Sequence, residues 1–353
     1  MGTDELSSIV LEQANRLFAG EVTPQRLAQA DRGDWPAAIW AVVEHAGLPL
    51  ALVPEAQGGV GLAPVDALRL MRRAGYHTVP LPLPETMLAA ALWAQASGAA
   101  PKGILTLAPG EPMQIERSGD GWRLRGDASR VPWAARAAHI LVHARDAAGS
   151  DYLALVPAGA GELRPARNLA FEPRETLILR NAALPAEAVQ PAPQAFEDGL
   201  LPLGALMRAQ QMAGAMERCL DYALRYAMER NQFGRPIGKF QAVQMMLAEA
   251  AGHTAAAIAA ADLAAEAYGS ARLGFAAAVA KARAGEAAGK VAEVCHQVHG
   301  AMGFTQEHPL HFATRRLWSW RDEFGHESYW QERIGRMVCA AGGEALWPML
   351  TQG

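Results

Sequence analysis

Apolar residues recur at three- and four-residue spacing in LSSIVLEQANRLFA (Leu6–Ala19), APVDALRLMRRAGYH (Ala63–His77) and PETMLAAALWAQASG (Pro84–Gly98). That period places them on one face of a helix, so the first hundred residues are expected to be helical. The loop VPEAQGGVGLAP separates two of these segments. From Lys102 the texture changes to short apolar or alternating runs: GILTLA, MQIERSG, GWRLRGDASRV, AAHILVHARD, DYLALVPA and ETLILRNAAL, punctuated by Gly, Pro and Asp. Alternation between turn residues predicts an antiparallel β domain of six to eight strands. Helical periods return from Glu197: about Leu200–Asn231, Phe240–Tyr268, Leu273–Met302, a shorter one from His308, and Ser328–Gly342. Alanine dominates them, and small side chains let helix axes approach closely, as in a bundle. The expected class is α+β: an N-terminal helical domain (1–101), a central antiparallel β domain (102–192) and a C-terminal helical bundle (193–353).

Composition narrows the function. In 353 residues a net charge of −4 carries no basic excess, which disfavours nucleic acid as a partner. Cys219, Cys295 and Cys339 are too scattered for a disulfide framework or a zinc site. They read as small buried hydrophobes in a reducing, cytoplasmic protein. The most apolar stretch, Ala255–Ala282, is interrupted by Asp262, Glu266 and Arg272. It reads as packed bundle helices and not as a membrane span. Asp4 and Glu5 stand where a signal peptide would be cationic.

The chemistry concentrates in two turns. RNQFGRPIGKFQAVQ (Arg230–Gln244) sets two glycines, a proline and three cations between long helices. A helical hairpin needs Gly and Pro to reverse direction, so turn chemistry accounts for part of it. HGAMG (His299–Gly303) offers backbone N–H groups ahead of a short helical segment, an arrangement that suits an anion. Together with LVPEAQGGVGL (Leu52–Leu62) and QVHGAMGFTQEHPLHFATRR (Gln297–Arg316), the first turn resembles the signatures of the acyl-CoA dehydrogenase superfamily, in the same order and around a β domain.

The resemblance implies FAD as cofactor, an acyl-CoA substrate and α,β-dehydrogenation. It also implies that Arg230, Phe233 and Gln241, with Gln297, His299, Gly300 and Ala301 of the second loop, contact the FAD of a dimer partner. A guanidinium fork suits pyrophosphate oxygens; a helix C-terminal cap is the plainer role for Arg230.

The likeness breaks at the catalytic base. The family's Glu corresponds to Phe324 in WRDEFGHES, and its alternative location on the first bundle helix corresponds to Gly204. Glu323 is the nearest substitute, followed by Asp322 and Glu327, with His299 and His326 as weaker proton acceptors. A one-residue helical step turns a side chain by about 100°, so Glu323 needs a shifted helix. The hydroxyl-bearing flavin loops of the β domain are replaced by LAPGEP and ASRVPWAARAAHI, leaving Ser129 and Trp133 as candidate ring contacts. Three readings follow: a subunit of an α2β2 acyl-CoA dehydrogenase for bulky, steroid-like thioesters, served by electron-transfer flavoprotein or a similar acceptor; a non-catalytic structural partner; or a flavin monooxygenase or oxidase on the same fold.

Overall fold

The alternating runs between Leu105 and Pro191 form one eight-stranded sheet, with helices before and after it in the chain. The computed structural model describes residues 3–193 and 199–351, so the expected helical onset at Glu197 lies outside the described residues. Five helices come first: α1 (Thr3–Glu21), α2 (Pro24–Arg32), α3 (Ala37–His45), α4 (Pro64–Tyr76) and α5 (Leu83–Ser97). Thr23 accepts a hydrogen bond from the Arg26 amide at the start of α2, which also begins with Pro24.

The strands are β1 (Leu105–Leu107), β2 (Met113–Ser118), β3 (Gly121–Pro132), β4 (His139–Arg145), β5 (Asp151–Pro157), β6 (Glu162–Arg164), β7 (Arg174–Leu184) and β8 (Val189–Pro191). Their order is β6-β7-β3-β2-β4-β5-β8, with β1 also on β4. The sheet is not wholly antiparallel as expected, because β1 and β2 both run parallel to β4 along successive parts of it. Residues of β4 split between two cores. Ile140 and Val142 pack within the β domain, while Leu141 joins Leu105, Leu107, Leu153 and Leu155 against the helices.

The bundle comprises α6 (Leu200–Glu229), a two-residue hairpin β9–β10 (Asn231–Gln232, Arg235–Pro236), α7 (Gln241–Glu266), α8 (Leu273–His299), α9 (Leu310–Asp322), α10 (Glu327–Ala341) and α11 (Leu346–Thr351). Where α4 crosses α6, a Cβ on Gly214 would sit 1.9 Å from the Arg72 carbonyl oxygen. Only a glycine permits that backbone approach. No helix among the described residues is long and apolar enough to cross a membrane.

Candidate functional site

Arg230 ends α6 in an extended conformation, its amide still bonded to the Tyr226 carbonyl at 2.8 Å. Its own carbonyl accepts from Ile237 at 2.8 Å and closes the β9–β10 hairpin. Phe233 and Gly234 at the tip both have positive φ, 51° and 81°. Phe233 is 92% exposed. A positive φ is uncommon for a phenylalanine, and here it accompanies a ring that faces water. The Phe240 ring stands edge-on to Phe233 at 6.2 Å and carries the Arg235 guanidinium at 4.2 Å. Gln241 is exposed at the first residue of α7, and the Arg230 side chain has no polar partner among the described residues.

The second loop begins where α8 stops at His299 and continues as a short 3-10 turn, Gly300–Phe304. Gln297, Gly300 and Ala301 are exposed beside Met302 and Phe304. His299 differs from them: it is buried, with Nδ1 2.7 Å from the Cys295 carbonyl and its ring stacked on Tyr226 at 4.7 Å. Burial lowers its pKa, keeping it neutral. His299 therefore joins this loop to the end of α6 and does not face outward with the other expected contacts.

Both positions where the family places its base are occupied by hydrocarbon or hydrogen. Phe324 follows α9 with φ of 53° and is buried. A Cβ on Gly204 would fall 2.0 Å from Phe324 Cδ1, so ring and glycine occupy one space. Lys281 Nζ donates to the carbonyls of Arg321 and Gly325 at 2.6 Å each and fixes the turn that carries Phe324.

Glu323, the expected substitute base, is held among buried charges. Helix α9 ends at Asp322, and the Glu323 side chain points into a buried ion network. Its Oε1 accepts from Arg174 Nε at 2.7 Å and its Oε2 from Arg208 Nε at 2.8 Å. Arg208 Nη2 reaches Glu85 Oε1 at 2.7 Å, Arg174 Nη2 reaches Glu172 Oε2 at 2.8 Å, and Arg316 Nε stands 3.2 Å from Glu172 Oε1. Three carboxylates thus face three guanidiniums drawn from α5, α6, α9, β7 and the segments that precede β7 and follow α9, a balance that buried charge requires. Burial alone would push the Glu323 carboxyl up, but Arg174 and Arg208 overcome it and hold it at about 2. A carboxylate so stabilised is a weak proton acceptor. Of the other candidates, Asp322 is exposed, Glu327 is tied to Arg321 through both its oxygens, and His326 caps α10. The network was invisible in the sequence because its members are spread from residue 85 to residue 323.

These residues fit one half of an FAD site. Arg230, Phe233, Gln241 and the Gly300 loop are exposed, and the Arg230 guanidinium keeps its donors free among the described residues, suited to a pyrophosphate and adenine approached from outside. Of the two candidate ring contacts in the β domain, Ser129 is exposed on β3, and Trp133 is buried with its ring 6.1 Å from that of Trp35.

Comparison with known proteins bears on the architecture. The family described as "Acyl-CoA dehydrogenase, C-terminal domain" matches residues 197–336. Acyl-CoA dehydrogenase IpdE2 of Mycobacterium tuberculosis is 28% identical over 301 residues, covering 84% of this chain and 85% of the relative. Among solved structures, the ChsE4-ChsE5 complex from Mycobacterium tuberculosis superposes with a TM-score of 0.86 at 25% identity, over 96% of this chain and 99% of the other. A steroid acyl-CoA dehydrogenase, Tcur3481-Tcur3483, does so with 0.85 at 26% identity over the same shares. A helical domain, a sheet and a helical bundle in this order define the acyl-CoA dehydrogenase fold. The chain belongs to the acyl-CoA dehydrogenase superfamily.

Proposed function

We propose that the chain is the subunit without a base in a two-chain, FAD-dependent acyl-CoA dehydrogenase. The observation that carries this reading is the packing of Phe324 on Gly204, which leaves neither family position with a carboxylate. In this assembly Arg230 holds the pyrophosphate of an FAD seated mainly on the neighbouring subunit, Phe233 packs by its adenine, and Gln241 and the Gly300 loop donate to it. FAD supplies a hydride acceptor when bound; the α-proton of the thioester leaves to a carboxylate of the partner subunit. This chain's contribution is to orient the cofactor and exclude water with Phe233, Met302 and Phe304, which are exposed in the lone chain.

A bulky, steroid-like acyl-CoA is the substrate class favoured by the likeness to a steroid acyl-CoA dehydrogenase of two differently named components. Electron-transfer flavoprotein or a similar acceptor then reoxidises the assembly. The same open clamp favours oligomerisation over a 37.6 kDa monomer. Co-expression with a longer homologous subunit tests the whole reading. The expected result is a co-purifying complex with a flavin spectrum that oxidises acyl-CoA and loses activity when the partner's carboxylate is removed. A stable flavin-free monomer that ignores every such partner rules the proposal out.

A further inference from the structure

A cavity lies between the α2–α3 turn, the end of β3 and the segment leading into β7, with a volume of about 390 Å³. Its walls include Trp35 and Trp133, whose rings meet at 68° with centroids 6.1 Å apart. Trp133 holds a left-handed backbone, φ 55°, with its amide bonded to the Pro173 carbonyl at 3.2 Å. A bulky aromatic in that conformation is strained, and the strain is retained while the ring lines this cavity.

The carboxylate of Glu175 also lines the cavity. It is 6% exposed, and its Oε2 has no hydrogen-bond partner. Burial raises the Glu175 pKa, against the backbone amides of Glu175, Ala134 and Ala135, which favour the charged form. An acceptor left unsatisfied at such depth is costly, and a ligand N–H would relieve it. Two exposed guanidiniums complete the lining. Arg136 lies over the Trp35 ring at 5.6 Å, and Arg167 donates to the Asp31 carbonyl at 3.1 Å while keeping its other donors.

We infer that this cavity is a binding site for a flat heteroaromatic ring bearing an amino group and linked to phosphate, the chemistry of an adenine nucleotide. The indoles supply stacking surfaces for the ring. Glu175 Oε2 accepts from the exocyclic amino group, and Arg136 and Arg167 present planar donor forks to the phosphate. A cationic ligand is disfavoured by the two arginines. A purely apolar one would leave Glu175 unsatisfied. Neither Trp133 nor Glu175 belongs to the Arg230 clamp, so the inference does not rest on that clamp.

Adenosine 5′-monophosphate serves as the probe, titrated into the full-length chain with tryptophan fluorescence and calorimetry as readouts. The expected result is saturable quenching, weakened about tenfold by Trp35→Leu, which removes a stacking face, and about tenfold by Glu175→Gln, which replaces a charge-assisted bond with a neutral one. Arg136→Met with Arg167→Met should lower affinity for the monophosphate while leaving affinity for adenosine unchanged. Melting curves for each variant separate lost binding from lost folding, and the exposed double arginine variant keeps the test alive if Glu175→Gln does not fold. Absence of saturable binding at millimolar nucleotide overturns the assignment. So does binding indifferent to Trp35→Leu, or binding of flavin mononucleotide without binding of the adenine nucleotide.

Discussion

The Phe324 ring lies where any side chain on Gly204 would have to go, with 2.0 Å between a Cβ built on Gly204 and Phe324 Cδ1. One helix of the bundle and the turn after another are thereby locked at the two positions where the family would place a carboxylate. Gly204→Ala measures the lock. Alanine gains about 1 kcal/mol of helix propensity in the interior of α6. Overpacking against a buried ring costs about 1–3 kcal/mol. The net expectation is a loss of up to about 2 kcal/mol in urea unfolding, and a variant more stable than the parent would show that the Phe324 ring is free to move aside.

Glu323 lies one residue from that ring, and its removal should act on stability instead of chemistry. Glu323→Gln leaves Arg174 and Arg208 buried beside a neutral amide, a change of the kind that costs about 3–5 kcal/mol. In the two-chain assembly, anaerobic flavin reduction by an acyl-CoA should proceed near the parental rate once the variant is folded. A fall of about 10²-fold or more, with the fold intact by circular dichroism, would restore Glu323 as the base.

The same network has a pH signature. The folded-state pKa of Glu323 is about 2 against an ordinary 4.5, so its stabilisation is fully present above about 4.5 and disappears as pH falls toward 2. Melting temperature should drop through that window in the parent and drop less steeply in Glu323→Gln. Parallel acid profiles for the two proteins would exclude a contribution from this carboxylate.

Most of the fold was legible because it is written locally. Three- and four-residue apolar spacing anticipated α1, α4, α5 and the five longest C-terminal segments, and turn residues anticipated most strands. The helical onset at Leu273 matched the structure, while Met302 proved to lie beyond α8 in a 3-10 turn, since Gly300 at φ 58° ends the helix. The parallel pairing of β1 and β2 on β4 was not legible, because register is set by packing and not by alternation. At the site, the outward position of Arg230 and Phe233 follows from their hairpin, but the burial of His299 follows from Tyr226, 73 residues earlier in the chain. Glu85, Arg208, Glu172, Arg174 and Glu323 gave no motif at all; only the fold assembles them.

Arg230 offers a cleaner test of the clamp because its side chain is exposed and has no polar partner among the described residues. Arg230→Ala should leave the melting temperature of the isolated chain within the small range of exposed substitutions. In the assembly it should weaken FAD binding by about ten- to a hundredfold, the equivalent of about 1.5–3 kcal/mol for a charge-assisted bidentate contact. Arg230→Lys should recover part of the loss, since a point charge replaces a fork. Full flavin occupancy in the alanine variant, measured by absorbance after dialysis, would remove Arg230 from the cofactor site.

The loop beneath the clamp should be acid-sensitive. His308 lies 4.4 Å from His299, and its pKa falls from 6.5 to about 4, first through burial and then through repulsion by His299, His311 and His296. A histidine whose folded pKa is depressed favours the neutral state, so its contribution is complete above about 6.5 and is lost as pH falls toward 4. Protonation there puts positive charge beside the His299 and Tyr226 stack, the contact that joins the Gly300 loop to Arg230's helix. Flavin retention by the assembly should therefore decline as pH falls from about 6.5 toward 4, beginning before Glu323 titrates. His308→Gln keeps a polar side chain without a titratable ring and should hold flavin further into acid. If parent and variant release flavin at the same pH, the loop is not held by neutral His308.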